Sequence, residues 1–195
     1  MALFDIKKLT DCRWLNLFEM VYRRKNGQHT WIVCSRKDNP VIDAAKADAV
    51  FIIPIVQTPD GWRLVVTKEF RPAIWDWEYA FPAGLIDGGE PVETTIRREL
   101  KEETGLSVKR IVHISMPVYS SAGMSDESCV MALVEAEGTV SSAGNEGSEE
   151  IETLLLDVPQ IRRLLASNKK VAGKAWGILY HFAATGRIEF SSLDV

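Results

Sequence analysis

Glu99, Glu102 and Glu103 stand three and four residues apart, and Arg98 immediately precedes them. On a helix such spacings make the carboxylates neighbours instead of spreading them around the cylinder. At about 100° per residue, Glu99 and Glu103 project on the same side as the apolar Val92 and Ile96, while Arg97 and Lys101 point the opposite way. A solvated acidic face is the ordinary reading of a glutamate-rich run. Here the carboxylates flank a stripe that belongs in a core, where like charges repel and cost free energy unless a metal ion or an arginine compensates them. Arg98 can supply part of that compensation, and a divalent cation suits the rest.

The surrounding stretch, GLIDGGEPVETTIRRELKEETGL, runs from Gly84 to Leu106 and extends the pattern. Gly84, Glu90, Arg98, Glu99, Leu100, Glu102, Glu103, Gly105 and Leu106 fall in the register of the Nudix box, so the chain resembles the Nudix hydrolases. Within the box nothing departs from that pattern. The resemblance implies an α/β/α sandwich with a mixed β-sheet. It also implies that Glu99 and Glu103 are principal Mg²⁺ ligands, with Mn²⁺ able to substitute, that Glu102 is a third, and that the backbone carbonyl of Ala83 or Gly84 is a fourth. Arg98 would orient these carboxylates. Glu90 has two readings, a water-mediated metal ligand or a helix-start glutamate favoured by the positive end of the helix dipole, and the second is preferred. Gly84 and Gly105 serve backbone geometry, Gly105 as the helix stop.

Magnesium combines a few protein carboxylates with waters and substrate phosphates. A metal so held polarises a phosphoanhydride and orients an attacking water, which makes hydrolysis of a diphosphate linkage the expected reaction. The segments KEFRPAIWDWEYAFPAGLID and YSSAGMSDE resemble those of ADP-ribose pyrophosphatases and related nucleoside-diphosphate-sugar hydrolases. The implied substrate is ADP-ribose, cleaved to AMP and ribose 5-phosphate. Two positions depart from that subfamily: Ala122 stands where a proline commonly precedes the loop glycine, and Ala80 where a glutamate commonly stands, with Glu78 nearby. They keep GDP-mannose and other sugar nucleotides open. A Nudix module that senses a nucleotide sugar without hydrolysing it is the alternative from another class. The intact carboxylates and the lack of residues for a DNA-reading helix or basic arm argue against it.

Outside the box, Arg71 is the candidate for a substrate phosphate or terminal ribose, because a guanidinium binds oxygens bidentately. A surface ion pair with Glu69 or Asp76 is the competing reading. Glu78 and Glu127 complete the substrate-side candidates, Glu127 by analogy with the same loop in relatives, against a solvated loop acid. In related enzymes the general base is a glutamate in a loop well beyond the box. That loop here holds Glu146, Glu149 and Glu150, and Glu149 is the choice. Trp31, Trp75 and Trp77 offer stacking faces for a base, although a strand tryptophan more often belongs to a core or an interface. His29, His113 and His181 are isolated and carry no assigned role.

The elements that must position these groups are legible in outline. Residues 13–24 and 28–36 alternate like strands around Asn26-Gly27, a hairpin dipeptide. AVFIIPIVQT and WRLVVTKEF flank the turn Pro59-Asp60-Gly61, and IWDWEYAFPAG runs into the box. VKRIVHISMPVY, SCVMALVEAEG and IETLLLDV read as further strands. Residues 138–149 read as a mobile loop, and Val158–Ala166 and Gly173–Thr185 as helices. The pattern is α+β. We expect a single Nudix domain over residues 1–195, with an N-terminal antiparallel strand region over 1–47 and the core over 48–195.

Composition narrows the function classes. The chain has 195 residues, 46% of them hydrophobic, and a net charge of −4, so it offers no basic field for nucleic acid. Three cysteines without a CxxC pair suggest neither a disulfide framework nor a zinc site. The N-terminus carries early charges and nowhere is there an apolar run long enough to span a membrane, so a cytoplasmic protein is expected. By the same resemblance it is expected to be a homodimer in which the Trp14–Trp31 region is partly interfacial.

Overall fold

The computed structural model describes residues 2–40, 46–144 and 150–188. In chain order the elements are β1 (Ala2–Lys8), β2 (Asn16–Arg24), β3 (Gly27–Ser35), β4 (Ala49–Thr58), β5 (Gly61–Arg71), β6 (Asp76–Ala80), β7 (Ala83–Leu85), α1 (Val92–Thr104), β8 (Ser107–Ile114), β9 (Val118–Tyr119), β10 (Ser128–Glu137), β11 (Ile151–Leu156), α2 (Val158–Leu165), β12 (Lys170–Val171) and α3 (Gly173–Thr185). They fall into two compact units, one comprising Met1–Asp48 with Pro117–Cys129, the other Ala49–Met116 with Val130–Val195.

In the first unit, β1, β2 and β3 form an antiparallel sheet in that order. The β2–β3 hairpin falls where Asn26-Gly27 places it, but its two-residue loop is Lys25-Asn26: Arg24 pairs with Gly27, which takes φ 124°. β1 was not foreseen. Its sequence, ALFDIKK, mixes charges with apolar residues, and a bulge between Leu3 and Asp5 interrupts its register against β2.

A polar network ties the 117–129 segment of this unit to β3. The Lys37 ammonium lies 3.1 Å from Asp48 Oδ1 and 3.4 Å from Asp126 Oδ2. Asp48 Oδ2 accepts from the Ser128 backbone N–H at 2.8 Å, and Asp126 Oδ2 accepts from the Ser35 hydroxyl at 3.0 Å. The Cys34 N–H donates to Met124 O at 2.8 Å, and Trp31 Nε1 donates to Gly123 O at 3.2 Å.

The second unit holds a mixed sheet in the order β12-β6-β5-β4-β10-β8, with β11 paired to β5 and β7 to β4. β12 runs parallel to β6, whereas β5 is antiparallel to β4, β6 and β11. Consecutive residues of a strand face opposite sides. Val50 to Ile55 of β4 and Leu64 to Thr67 of β5 are nevertheless buried without a break, so both faces are covered, as in sheets sandwiched between helices. α1 packs on β4, β7, β8 and β11, while α2 packs on α3 and α3 on β6. This is the α/β/α sandwich with a mixed sheet and an N-terminal antiparallel region. α2 and α3 end within one residue of expectation, α3 at Gly186 with φ 75°. Among the described residues no helix is long and apolar enough to cross a membrane.

Burial alone would lower the Lys37 pKa, but the bonds and charges of Asp48 and Asp126 more than reverse this and leave it raised. Its contribution to stability is therefore complete below its ordinary value of 10.5 and is lost only as pH rises through the raised value. Lys37→Met leaves two half-buried carboxylates facing one another and should lower stability by about 1–2 kcal/mol at neutral pH. Lys8→Met, which removes only the exposed Lys8–Asp11 pair, should cost less than about 0.5 kcal/mol. Urea unfolding of both variants tests the contrast, and equal losses would contradict it.

Candidate active site

α1 is placed by its apolar stripe. Thr95, Ile96, Leu100, Glu103 and Thr104 are buried, whereas Arg97 and Lys101 are exposed. Ile96 and Leu100 are fully buried, so the core sets the rotation of the helix, and Glu103, four residues after Glu99, is carried inward to 6% exposure. The Glu99 side chain is 12% exposed and that of Glu102 39%.

Arg98 lies among the acids. Its Nη1 donates to Glu99 Oε1 at 2.7 Å and to Glu102 Oε2 at 3.1 Å; its Nη2 donates to Glu90 Oε2 at 3.1 Å and to Leu85 O at 3.3 Å. Asp87 Oδ2 lies 3.8 Å from Nη2. Glu90 also accepts from the Thr95 hydroxyl at 2.9 Å. Bonding to Arg98, then to Thr95, holds the Glu90 carboxyl below the usual carboxylate range. The bond to Glu90, opposed by burial and reinforced by Glu99 and Glu102, holds the Arg98 guanidinium above its own. Glu90 thus bridges the loop before α1 to Arg98 within the helix.

Gly84, in β7, is where that strand meets the acidic helix. A Cβ on it would lie 1.9 Å from the Glu99 carboxyl carbon and from Oε1. Only a residue without a side chain lets a carboxylate come this close to the backbone of β7.

The donors present are carboxylate and carbonyl oxygens, the hard ligands that Mg²⁺ and Ca²⁺ select. Among the described residues, no three acidic, histidine or cysteine side chains are grouped closely enough to hold a metal ion. Instead they surround Arg98, one positive charge within reach of four carboxylates, those of Asp87, Glu90, Glu99 and Glu102. That excess of negative charge beside a buried stripe, with the cradle at Gly84, fits a divalent cation. Glu99, Glu102, Glu103 and the main chain at Ala83 or Gly84 are the groups on hand to hold it.

The other candidates are dispersed. Arg71 Nη1 pairs with Glu69 at 2.8 Å, and its Nε lies 3.7 Å from Glu78. Glu69 and Glu78 face each other across β5 and β6, while Asp76 pairs with Lys170 at 3.1 Å. Glu127 belongs to the first unit, where Arg36 Nε lies 3.7 Å from it. Glu146 and Glu149 lie outside the described residues, and Glu150 is exposed. Trp31 is half-exposed; Trp75, at φ 49°, is 80% exposed and packs edge-on against Phe70. Trp77 packs edge-on against Phe70 as well, with the Lys68 ammonium 4.6 Å above its ring. The Thr95–Glu90 bond and the Leu85 carbonyl escaped the sequence reading. A hydroxyl one turn into a helix gives no sign of its partner, although an acid just before the helix start is the cue to look for one.

This fold and this acidic helix define a member of the Nudix family: the chain matches the NUDIX domain over residues 45–175, more than half its length, and belongs to that family. It is 33% identical to an ADP-ribose pyrophosphatase of Saccharomyces cerevisiae over 68% of this chain and 57% of the relative. It is 30% identical to an ADP-sugar pyrophosphatase of Mus musculus over 70% of this chain and 61% of that one, and 30% identical to an ADP-ribose pyrophosphatase of Escherichia coli O157:H7 over 74% and 67%. The yeast and mouse matches thus span less than two thirds of each relative. A solved structure described as an ADP compounds hydrolase superposes with a TM-score of 0.68 over 96% of both chains at 18% identity, a likeness of fold.

Replacing Arg98 with methionine removes the counter-charge while keeping an unbranched, flexible stem. Without divalent cations, Arg98→Met should lower stability by about 2 kcal/mol, roughly 4–8 °C in Tm, and millimolar Mg²⁺ should return part of the loss. Melting curves with and without Mg²⁺ check this; a loss equal in both would show that the carboxylates do not share one charge balance.

Proposed function

We propose that this protein hydrolyses the diphosphate linkage of a nucleoside diphosphate sugar, with ADP-ribose as the leading substrate and AMP and ribose 5-phosphate as products. The observation that carries this reading is the acidic face of α1 held around Arg98, with Glu99 against the backbone at Gly84. The similarity to ADP-ribose and ADP-sugar pyrophosphatases supports the substrate class.

Glu99, Glu102, Glu103 and the main-chain carbonyl of Ala83 or Gly84 would hold Mg²⁺. Bound there, the ion would polarise the diphosphate and lower the pKa of the attacking water. Arg98 keeps the carboxylates at fixed separations, and the buried flank of α1 keeps Glu103 from swinging into solvent. Glu149 would take the proton of the attacking water, whose oxygen becomes part of one monophosphate while the bridging oxygen leaves with the other. Arg71 would bind substrate oxygens in exchange for Glu69, with Glu78 and Glu127 as acceptors for substrate hydroxyls.

A second reading within the class rests on Ala80. It is buried at 6% and pairs with Thr67, so the acid common there in ADP-ribose pyrophosphatases has no counterpart at this position. A sugar nucleotide such as GDP-mannose therefore stays in the test. The half-exposed Leu17, Trp31 and Ile32 support a homodimer through the N-terminal strands, to be checked by light scattering.

The test is phosphate release from ADP-ribose, GDP-mannose, UDP-glucose, dinucleoside polyphosphates and nucleoside triphosphates, coupled to a phosphatase, with and without Mg²⁺. Selective, metal-dependent turnover of ADP-ribose is expected; preference for GDP-mannose would move the substrate, and no turnover would leave a sensing module. Glu103→Gln should fold normally yet lose at least about 100-fold in kcat, and unchanged turnover would remove it from the metal site. Glu149→Gln should lower kcat by about 10²–10⁴ with metal affinity kept. An unaffected rate would move the base to Glu146 or Glu150.

A further inference from the structure

A helix leaves its last four carbonyls without intrahelical donors, and a buried one must find them elsewhere. At the end of α1 these carbonyls belong to the residues that carry the site. Lys101 O accepts from the Gly105 N–H at 3.0 Å within the helix stop. Glu103 O accepts from the Thr153 hydroxyl of β11 at 3.0 Å. Thr104 O accepts from the Ser141 backbone N–H at 2.9 Å.

Glu102 is gripped by contact. A Cβ on Gly144 would lie 2.7 Å from Glu102 O, 3.0 Å from its Cα and 3.3 Å from its carbonyl carbon. These are main-chain atoms of a packed helix, so no flexible side-chain tip can move aside for a larger residue. The Ser141 hydroxyl accepts from the Ala143 N–H at 3.2 Å, which folds the segment back on itself where it meets the helix.

We propose that Ser141–Gly144 and Thr153 form a clamp on the last turn of α1 that positions the Glu102 and Glu103 carboxylates, with Gly144 and Thr153 as positioning residues. Ser141 and Gly144 follow β10, whereas Thr153 lies within β11, so two separate stretches of chain fix the last turn of α1 and with it the placement of the carboxylates. The glycine at 144 is needed for close approach. This inference rests on the proposed metal-dependent hydrolase reading, and its test separates the two.

Mn²⁺ binding is measured by electron paramagnetic resonance on the intact chain, beside Mg²⁺-dependent turnover and thermal melting, for the wild type, Gly144→Ala, Thr153→Val and Thr153→Ser. Gly144→Ala should weaken Mn²⁺ binding by about tenfold and raise the half-saturating Mg²⁺ concentration in step, while the KM for the sugar nucleotide stays within about twofold. Thr153→Val should do the same to a smaller extent, and Thr153→Ser, which keeps the hydroxyl, should restore wild-type metal binding. Should Gly144→Ala fail to fold, the valine and serine pair decides alone. Wild-type Mn²⁺ affinity in Gly144→Ala and Thr153→Val overturns the clamp and leaves the hydrolase reading standing. A wild type that binds Mn²⁺ but hydrolyses no sugar nucleotide overturns the hydrolase reading, and the affinities still judge the clamp. A wild type that binds no Mn²⁺ overturns both.

Discussion

The Arg98 guanidinium reaches carboxylates that enter from two directions: Asp87 and Glu90 from the turn before α1, Glu99 and Glu102 from the helix itself. Each of those acids would be repelled by the others, and the repulsion grows as solvent is excluded. A compact ammonium could satisfy one or two of them. The planar guanidinium offers five donors in fixed directions and so converts a set of mutually repelling charges into a defined geometry. Everything else in the site follows from keeping that cluster in place. The Ile96 and Leu100 stripe fixes the rotation of α1, Gly84 admits Glu99 to the backbone of β7, and Thr95 holds the far side of Glu90.

Arg71 shows the opposite economy. It sits at the end of β5 between Glu69 and Glu78, two acids that face each other across the ladder. Two carboxylates directly opposite one another are unfavourable in a sheet, and Arg71 relieves this. A phosphate competing for the guanidinium must therefore outbid Glu69 and also leave the pair of acids less well compensated. Binding of an anion here would be weaker than the exposed position of Arg71 suggests.

The acidic helix could be read in the sequence because its residues are close in the chain, so that helical geometry alone brings them together. The strands β4, β5, β10 and β11 could be read because their apolar runs are long and bounded by turn residues. β1 could not: its register is set by pairing with β2 and shifted by a bulge, and its charges mask the alternation. Trp75 is expected as a stacking face, with core or interface as the competing place; the structure leaves it exposed at a left-handed turn built on Arg71 and Pro72, which excludes the core alone. The contacts of Gly144 and Thr153 with α1 span more than forty residues of sequence. No local pattern announces them; they appear only when the sheet has brought β11 against the helix.

The chain passes between the two compact units at 48/49, 116/117 and 129/130, which gives the family match an unexpected property. Residues 45–175 contain the 117–129 segment but omit Trp31, Cys34, Ser35 and Lys37, the groups that bond its Gly123, Met124 and Asp126. The stretch recognised by its sequence therefore has different edges from either compact unit. A protein trimmed to the family boundaries would keep every carboxylate of the acidic helix and the bonds of Asp48 to Ser128, and yet carry a loop, that of Glu127, without its bonds to β3, Arg36 and Lys37. In this chain the unit of descent and the unit of contact have different edges.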